Sequence, residues 1–454
     1  MKIQQISVVS LFGIFDHVIP LATNDRITII HGPNGFGKTA MLRMLNGFFN
    51  SQYSVFRTIP FKRFRVEFDG STYVEVVKLS EEAEKIRRHS SITFFFHSPN
   101  SEEVFNLKVR QSPADIDFPL EIVDDIIPEL RRVGPKAWRY TSTGETLSLE
   151  EVIDRFESLL PSKVKPKDEP NWLKEVKGSI HIRLIESQRL LNFLPNRSSR
   201  LYSGASSTLS TVSAYSEELA HLIQAKFAEY GTTSQSLDRT FPARVVNQHL
   251  SLDLTDAQLR QKLNELEDTR SRLIEAGLLD KEEENSDFQI QPQVIDIDIN
   301  TKNILSVYVE DVGKKLDVFN EIASKIDLLR KIISSKFAYS YKEMSFSKEK
   351  GFVFKTLHHS PSSTTQTLSP TDLSSGEQHE LVLLYELLFK VQPNSLVLID
   401  EPELSLHVGW QAQFLKDLQE ITQLAELDVL MATHSPDIIQ DRWDLTVELK
   451  GPAE

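Results

Sequence analysis

Gly32-Pro33-Asn34-Gly35-Phe36-Gly37-Lys38-Thr39 fits the pattern GxxxxGK[ST] between a strand-like run, Arg26 to Ile30, and a helix-like run, Lys38 to Phe49. Glycines at Gly35 and Gly37 let backbone N–H groups around Asn34 turn inward onto phosphate oxygens, and the helix start adds a positive dipole. Lys38 then reaches the β and γ phosphates of a nucleotide, and the Thr39 hydroxyl suits magnesium. An ordinary glycine turn before a helix has no need of Lys38. Far downstream, Leu396-Val397-Leu398-Ile399 runs into Asp400-Glu401. Such an apolar run reads as a buried parallel strand, so two carboxylates at its tip point to chemistry: Asp400 holding magnesium through its water shell, Glu401 polarising a water for attack on the γ phosphate.

Two further segments belong to the same chemistry. Leu373-Ser374-Ser375-Gly376-Glu377-Gln378 precedes the helical run His379 to Phe389, and such a helix start binds anions. Ser374, the Gly376 backbone and the dipole form a second phosphate cradle. One loop already holds a nucleotide, so the second makes sense if it faces the nucleotide of another subunit. Ala432-Thr433-His434-Ser435-Pro436 follows the apolar strand Asp428 to Met431 and sets an imidazole at a sheet edge, where a γ phosphate can be sensed.

The elements around these segments are partly readable. Lys2 to Val9, Gly13 to Leu21 and Arg26 to Ile30 are β-rich. Phe64 to Phe68 and Tyr73 to Val77, joined across Asp69-Gly70, and Ile92 to Phe96 with Val104 to Val109 read as antiparallel hairpins. Pro113 to Pro170 mixes helix signals with prolines and charge and places little. Ile180 to Ile185 reads as a strand ending near Gln188, and Asn196 to Ser213 as a mobile Ser/Gly/Thr-rich loop. Helical periodicity follows: a stripe from Tyr215 to Phe227, a helix capped by Thr255 with Leu259, Leu263, Leu266 and Leu273, and a long helix from Ile304 to Ile333. The last two are expected as an antiparallel hairpin, either packed on the core or projecting as a short arm. Phe337 to Lys355 returns to β character with a turn near Lys348 to Gly351, before a polar linker from Ser360 to Ser369.

At 454 residues, 40% hydrophobic and 26% charged, the chain can build a large core. It has no cysteine, which excludes disulfides, thiolate zinc and cysteine catalysis and suits a reducing, cytoplasmic setting. Ile6 to Phe15 is too interrupted for a signal core, and Leu381 to Phe389 contains Glu386, so no membrane partner is expected. A net charge of -14 argues against nonspecific coating of nucleic acid. Local basic clusters remain at Lys62, Arg63 and Arg65, at Arg131, Arg132, Lys136 and Arg139, and at Lys163, Lys165 and Lys167, each more often a solvated face than a binding site.

The order of glycine loop, LSSGEQ, IDEPELSLH and ATHSP resembles the ABC ATPases of the SMC, RecF and OLD group. That resemblance implies an α/β fold, a P-loop ABC-ATPase head with mixed β-sheet and an inserted helical or short coiled-coil subdomain. It implies residues 1–195 as the N-terminal lobe, 196–340 as the helical insert and 341–454 as the C-terminal lobe. Roles follow for Lys38 and Thr39 (Walker A), Ser374 to Gln378 including Glu377 (signature), Asp400 and Glu401 (Walker B), Leu404 to His407 (D-loop) and His434 (switch), with Gln188 as the magnesium-sensing Q-loop. ATP and Mg2+ are the implied ligands and a head-to-head dimer, or a higher oligomer, the implied assembly. Ser375 stands where the usual signature has glycine, as in relatives with SSGEQ. The stretch Ser435 to Glu454 is too short for the Toprim nuclease of OLD proteins, and the helical segment too short for SMC arms. The remaining resemblance is to stand-alone ATPase subunits of anti-phage systems such as PARIS and Septu, which implies a separately encoded effector nuclease or toxin and a DNA or phage-protein trigger. The alternative is a RecF-like DNA-binding ATPase in repair or maintenance.

Overall fold

The computed structural model describes residues 1–22, 24–78, 92–99, 101–107, 123, 127, 130–140, 144–149, 151–152, 156, 169–186, 211–247, 255–279, 299–357 and 367–452. Two compact units form, Met1–Leu209 with Glu386–Glu454, and Ser210–Tyr385. Gln188, residues 196–210 of the loop expected from Asn196 to Ser213, the basic cluster Lys163 to Lys167 and most of Pro113 to Pro170 lie outside the described residues, and Thr211 to Ser213, expected in that loop, instead open a helix.

In the first unit the chain runs β1 (Ile3–Leu11), β2 (Phe15–Pro20), β3 (Ile27–His31), α1 (Lys38–Phe49), α2 (Ser54–Thr58), β4 (Arg63–Phe68), β5 (Tyr73–Lys78), β6 (Ile92–Ser98) and β7 (Ser101–Leu107). It continues with β8 (Leu130–Gly134), β9 (Ala137–Tyr140), β10 (Thr146–Ser148), α3 (Asn171–Gly178) and β11 (Ile182–Ile185). Strands in the order β2-β1-β4-β5-β6-β7 form an antiparallel sheet. β4 shows why: in Arg63-Phe64-Arg65-Val66-Glu67-Phe68 every second residue is apolar and buried, the pattern of a strand with one solvated face. The Asp69-Gly70 turn and both hairpins form as the spacing predicts. Phe48 of α1 and Phe56 of α2 meet Phe94 of β6, each at a ring separation of 6.1 Å. β8, β9 and β10 make a small sheet with its own core around Trp138.

The rest of this unit is β15 (Leu396–Asp400), α9 (Val408–Ala425), β16 (Asp428–Ala432), α10 (Pro436–Ile439) and β17 (Thr446–Glu448). With β3 and β11 they build a five-stranded sheet in the order β11-β15-β16-β3-β17, every neighbouring pair parallel. β15 is buried at all of its positions, as the uninterrupted Leu-Val-Leu-Ile run requires.

The second unit holds α4 (Thr211–Asn247), α5 (Asp256–Glu275), α6 (Ile299–Asp317), α7 (Asn320–Phe337), β12 (Lys342–Ser347), β13 (Gly351–Thr356), β14 (Thr367–Leu368) and α8 (Ser375–Tyr385). Thr255 caps α5 with a reciprocal bond to Gln258, as its position suggests. The long helix expected from Ile304 to Ile333 is interrupted before Asn320, whose side-chain amide donates to Asp317 at 2.7 Å. The helix antiparallel to α6 is α4, not α5: Arg244 pairs with Asp311 and Lys315 with Asp238 (2.7 Å), while Phe227 and Tyr230 pack on Phe319. α5 instead runs in the same direction as α6, with Asp256 near Lys302 (3.0 Å) and Arg272 on Asp327 of α7 (2.5 Å). A connection as long as that between α5 and α6 does not by its length force a hairpin. Ser216 of α4 donates to Lys350 O at 2.7 Å and accepts from Phe352 N at 2.8 Å. At Gly351 the chain takes φ +70° at the turn, and a Cβ there would sit 1.9 Å from Ser216 O.

Among the described residues no helix is long and apolar enough to cross a membrane. Phe319 is fully buried between α4 and the α6–α7 joint. Phe319→Ala is therefore expected to destabilise this unit by about 3–5 kcal/mol, seen as a lower denaturant midpoint for its transition.

Candidate functional site

The glycine loop lies between β3 and α1, as its spacing predicts. Pro33, Asn34 and Gly35 are exposed on its crown. Gly37 has φ +91°, and a Cβ there would lie 2.3 Å from a Leu11 methyl, so only glycine lets the loop close over β1. His17 Nε2 donates to Phe36 O at 2.8 Å and fixes the loop to β2; burial lowers the His17 pKa, against the pull of that bond.

Lys38, only 4% exposed, points back into the loop and donates to Gly32 O (2.8 Å) and Pro33 O (3.0 Å). Its Nζ lies 3.3 Å from His434 Nδ1. Burial lowers the Lys38 pKa, while Glu401, Asp400 and Glu403 oppose that shift. The neighbouring Thr39 Oγ1 donates to Asp400 Oδ1 at 3.0 Å. Burial pushes the Asp400 carboxyl up to about 6 in spite of the Thr39 bond, with Glu401 and Glu186 adding to the rise and Arg43 opposing it. One turn along α1, Arg43 pairs with Glu186 at 3.6 Å, which brings the end of β11 to the same place.

Glu401 follows the strand in the left-handed region, φ +44°. Its backbone N–H donates to Ala432 O at 2.9 Å, and its carboxylate lies 3.2 Å from His434 Nε2. The imidazole therefore sits between the lysine of the loop and the second acid of β15. Lys38, Thr39, Asp400, Glu401 and His434 are thus brought together from α1 and the tips of β15 and β16. Residues 402–405 form a 3-10 turn, and His407 caps α9 by accepting from Gly409 N at 3.2 Å.

Glu403 escapes a reading of the sequence, although it is the third acid in the run that begins at Asp400. Its Oε1 accepts from His434 N at 2.6 Å. Only the turn after Glu401 reveals that contact.

Ser374, Gly376 and Glu377 belong to the second unit. Ser374 N donates to Glu377 Oε2 at 2.8 Å and Glu377 N donates to Ser374 Oγ at 3.4 Å, the reciprocal bonds of a capping box for α8, and Ser374 Oγ also donates to Oε2 at 2.9 Å. Lys342 Nζ (2.7 and 2.9 Å) and Ser340 Oγ (2.7 Å) hold the same carboxylate, which is 3% exposed. Gln378 Nε2 donates to Leu373 O at 2.8 Å. The Glu377 carboxylate is thus occupied within its own unit and serves to orient Ser374. Burial alone would raise its pKa, but the bonds from Lys342, Ser340 and Ser374 outweigh burial and hold it below the ordinary glutamate range. A depressed folded-state pKa means stabilisation that is complete above the unfolded value, ~4.3, and is lost as pH falls through the folded one. Acid titration should therefore loosen this unit in the wild type more steeply than in Glu377→Gln, by near-UV circular dichroism below about pH 4.5.

Among solved structures, the SMC head domain from Thermotoga maritima is similar at 9% identity and a TM-score of 0.32, over 97% of this chain and 92% of that one. The Smc head domain with an extended coiled coil bound to the C-terminal domain of ScpA, from Pyrococcus furiosus, gives 11% and 0.32 over 100% and 94%. No curated protein matches the chain. The model of the AAA ATPase domain matches residues 1–439. With nearly the whole length matched and the phosphate loop, acids and histidine gathered at one sheet edge, the chain belongs to the AAA ATPase domain family.

Proposed function

We propose that this protein binds and hydrolyses ATP with magnesium as a cytoplasmic switch, and that a second copy meeting it head to head presents Ser374 and the Gly376 backbone to the bound triphosphate. The observation that carries the reading is the linked pair of contacts Thr39–Asp400 and Lys38–His434–Glu401. The residues suit magnesium: Asp400 is a buried carboxylate with a raised pKa beside a hydroxyl, and a divalent cation would offset its burial. Thr39 and Asp400 would hold it, with Gln188 as a third group, and magnesium when bound neutralises charge on the β and γ phosphates.

Each side chain has a separable task. The backbone around Asn34, Gly35 and Gly37 receives phosphate oxygens, and Lys38 exchanges two carbonyl partners for them. Glu401 accepts the proton of the attacking water. His434 spans Lys38 and Glu401, so it registers the γ phosphate and orients the base together. Glu377 acts through Ser374.

The biological setting rests on the resemblance in the motifs: an ATPase that controls a separately encoded nuclease or toxin in anti-phage defence, triggered by DNA or a phage protein. The RecF-like alternative needs a basic face for duplex DNA. In the first basic cluster Arg63 pairs with Glu75 (3.6 Å) and Arg65 with Glu67 (3.1 Å), whereas Arg131, Arg132, Lys136 and Arg139 of the second are exposed on the β8–β9 hairpin and are the face that this alternative would use.

Glu401→Gln is expected to keep ATP affinity, stabilise the dimer and slow hydrolysis by at least about 100-fold; equal turnover in the two proteins removes Glu401 from its role. Lys38→Ala should weaken nucleotide binding by at least about tenfold, read by titration with a fluorescent ATP analogue. Purification of the native complex should recover an effector subunit in a nucleotide-dependent way, and salt-sensitive, ATP-dependent DNA binding in its place would favour the alternative.

A further inference from the structure

We infer that Glu403 is a positioning residue for hydrolysis, holding the His434 loop so that its imidazole spans Lys38 and Glu401. The inference rests on the ATPase reading above and deepens it. Glu401 leaves β15 in a left-handed conformation, and the 3-10 turn over residues 402–405 carries the chain back across the strand ends. Glu403 Oε1 thereby accepts the backbone N–H of His434 at 2.6 Å, a charge-assisted bond to the residue whose ring makes the two contacts that matter. A second staple joins the same two loops. Gln411 Nε2 donates to Glu403 O (3.4 Å) and Leu406 O (3.3 Å), and its Oε1 accepts from Ser435 Oγ at 2.7 Å.

The other Glu403 oxygen, Oε2, is buried and has no hydrogen-bond partner among the described residues. A purely structural cap has no use for a buried, uncompensated acceptor, since a neutral cap would avoid the desolvation. These features suit a group that sets the position of the histidine, and they do not need Glu403 to touch substrate.

The test is a double-mutant cycle with ATP turnover, affinity for a nonhydrolysable ATP analogue and thermal midpoint measured on each full-length protein. Glu403→Ala should lower kcat by roughly 10- to 100-fold while affinity changes less than about threefold. In a His434→Ala background the same change should cost less than about threefold more, because the effect runs through the histidine. Glu403→Gln keeps a carbonyl acceptor for His434 N and should recover to within about fivefold of wild type. Multiplicative losses, or a Gln variant as poor as Ala, overturn the inference. If the Ala variant does not fold, the Gln variant decides: turnover more than about tenfold below wild type counts against the role. A wild-type protein that binds ATP but releases no phosphate above the protein-free background defeats the ATPase reading itself, an outcome separate from failure of Glu403 alone.

Discussion

A carboxylate that ends a fully apolar strand has to be compensated, and the arrangement around Asp400 follows from that need. Asp400 is 9% exposed, and burial drives its proton affinity up to about 6. Thr39 supplies one hydrogen bond, and Arg43 on the next turn of the same helix a more distant positive charge. The parallel register makes this possible. Asp400 stands level with Ala432, and Ala432 with Ile30, so the loops after β15, β16 and β3 all leave from one edge of the sheet. That edge is where open parallel sheets gather ligands, because connections return to the opposite edge and leave the carboxyl ends free.

The segment around Ser374 is held by a comparable logic within its own unit. Lys336 of α7 and Glu380 of α8 form an ion pair with both side chains 0% exposed, and Lys342 and Ser340 grip Glu377 one turn earlier. Buried ion pairs add little net stability, since desolvation offsets attraction, but they penalise any arrangement in which one partner is left alone. That buried pair, with the partly exposed Lys342 on Glu377, ties the start of α8 to α7 and β12. Ser374 inherits that setting through its bonds to Glu377. Glu377 thus acts as an anchor for Ser374 within its own unit.

Local elements were legible where one residue type dictates one conformation. Lys38 to Phe49 forms the expected helix, Thr255 caps α5, and the Asp69-Gly70 turn joins β4 to β5. The continuous apolar run before Asp400 forms the expected parallel strand. Helix pairing was not legible. The apolar stripes of α5 and α6 resemble a hairpin, yet α4 takes the antiparallel place, since stripe periodicity carries no information about which partner or which direction a long connection allows. The interruption before Asn320 was hidden for a related reason. Heptad-like spacing continues through Phe319, and only packing on Phe227 and Tyr230 marks the joint.

By itself the amino-acid sequence determined the phosphate loop, the acidic strand tip, the histidine after β16 and the α/β class, because glycine placement, apolar periodicity and the order of short motifs act over a few residues. Tertiary structure decided the rest: that Thr39 meets Asp400 across a separation of 361 residues, that Lys38 and Glu401 share one imidazole, that Glu377 is anchored by Lys342, and that Glu403 reaches His434 N. Those contacts depend on strand register and on a left-handed turn at Glu401. They arise only when distant segments are folded against each other, and no local pattern encodes them.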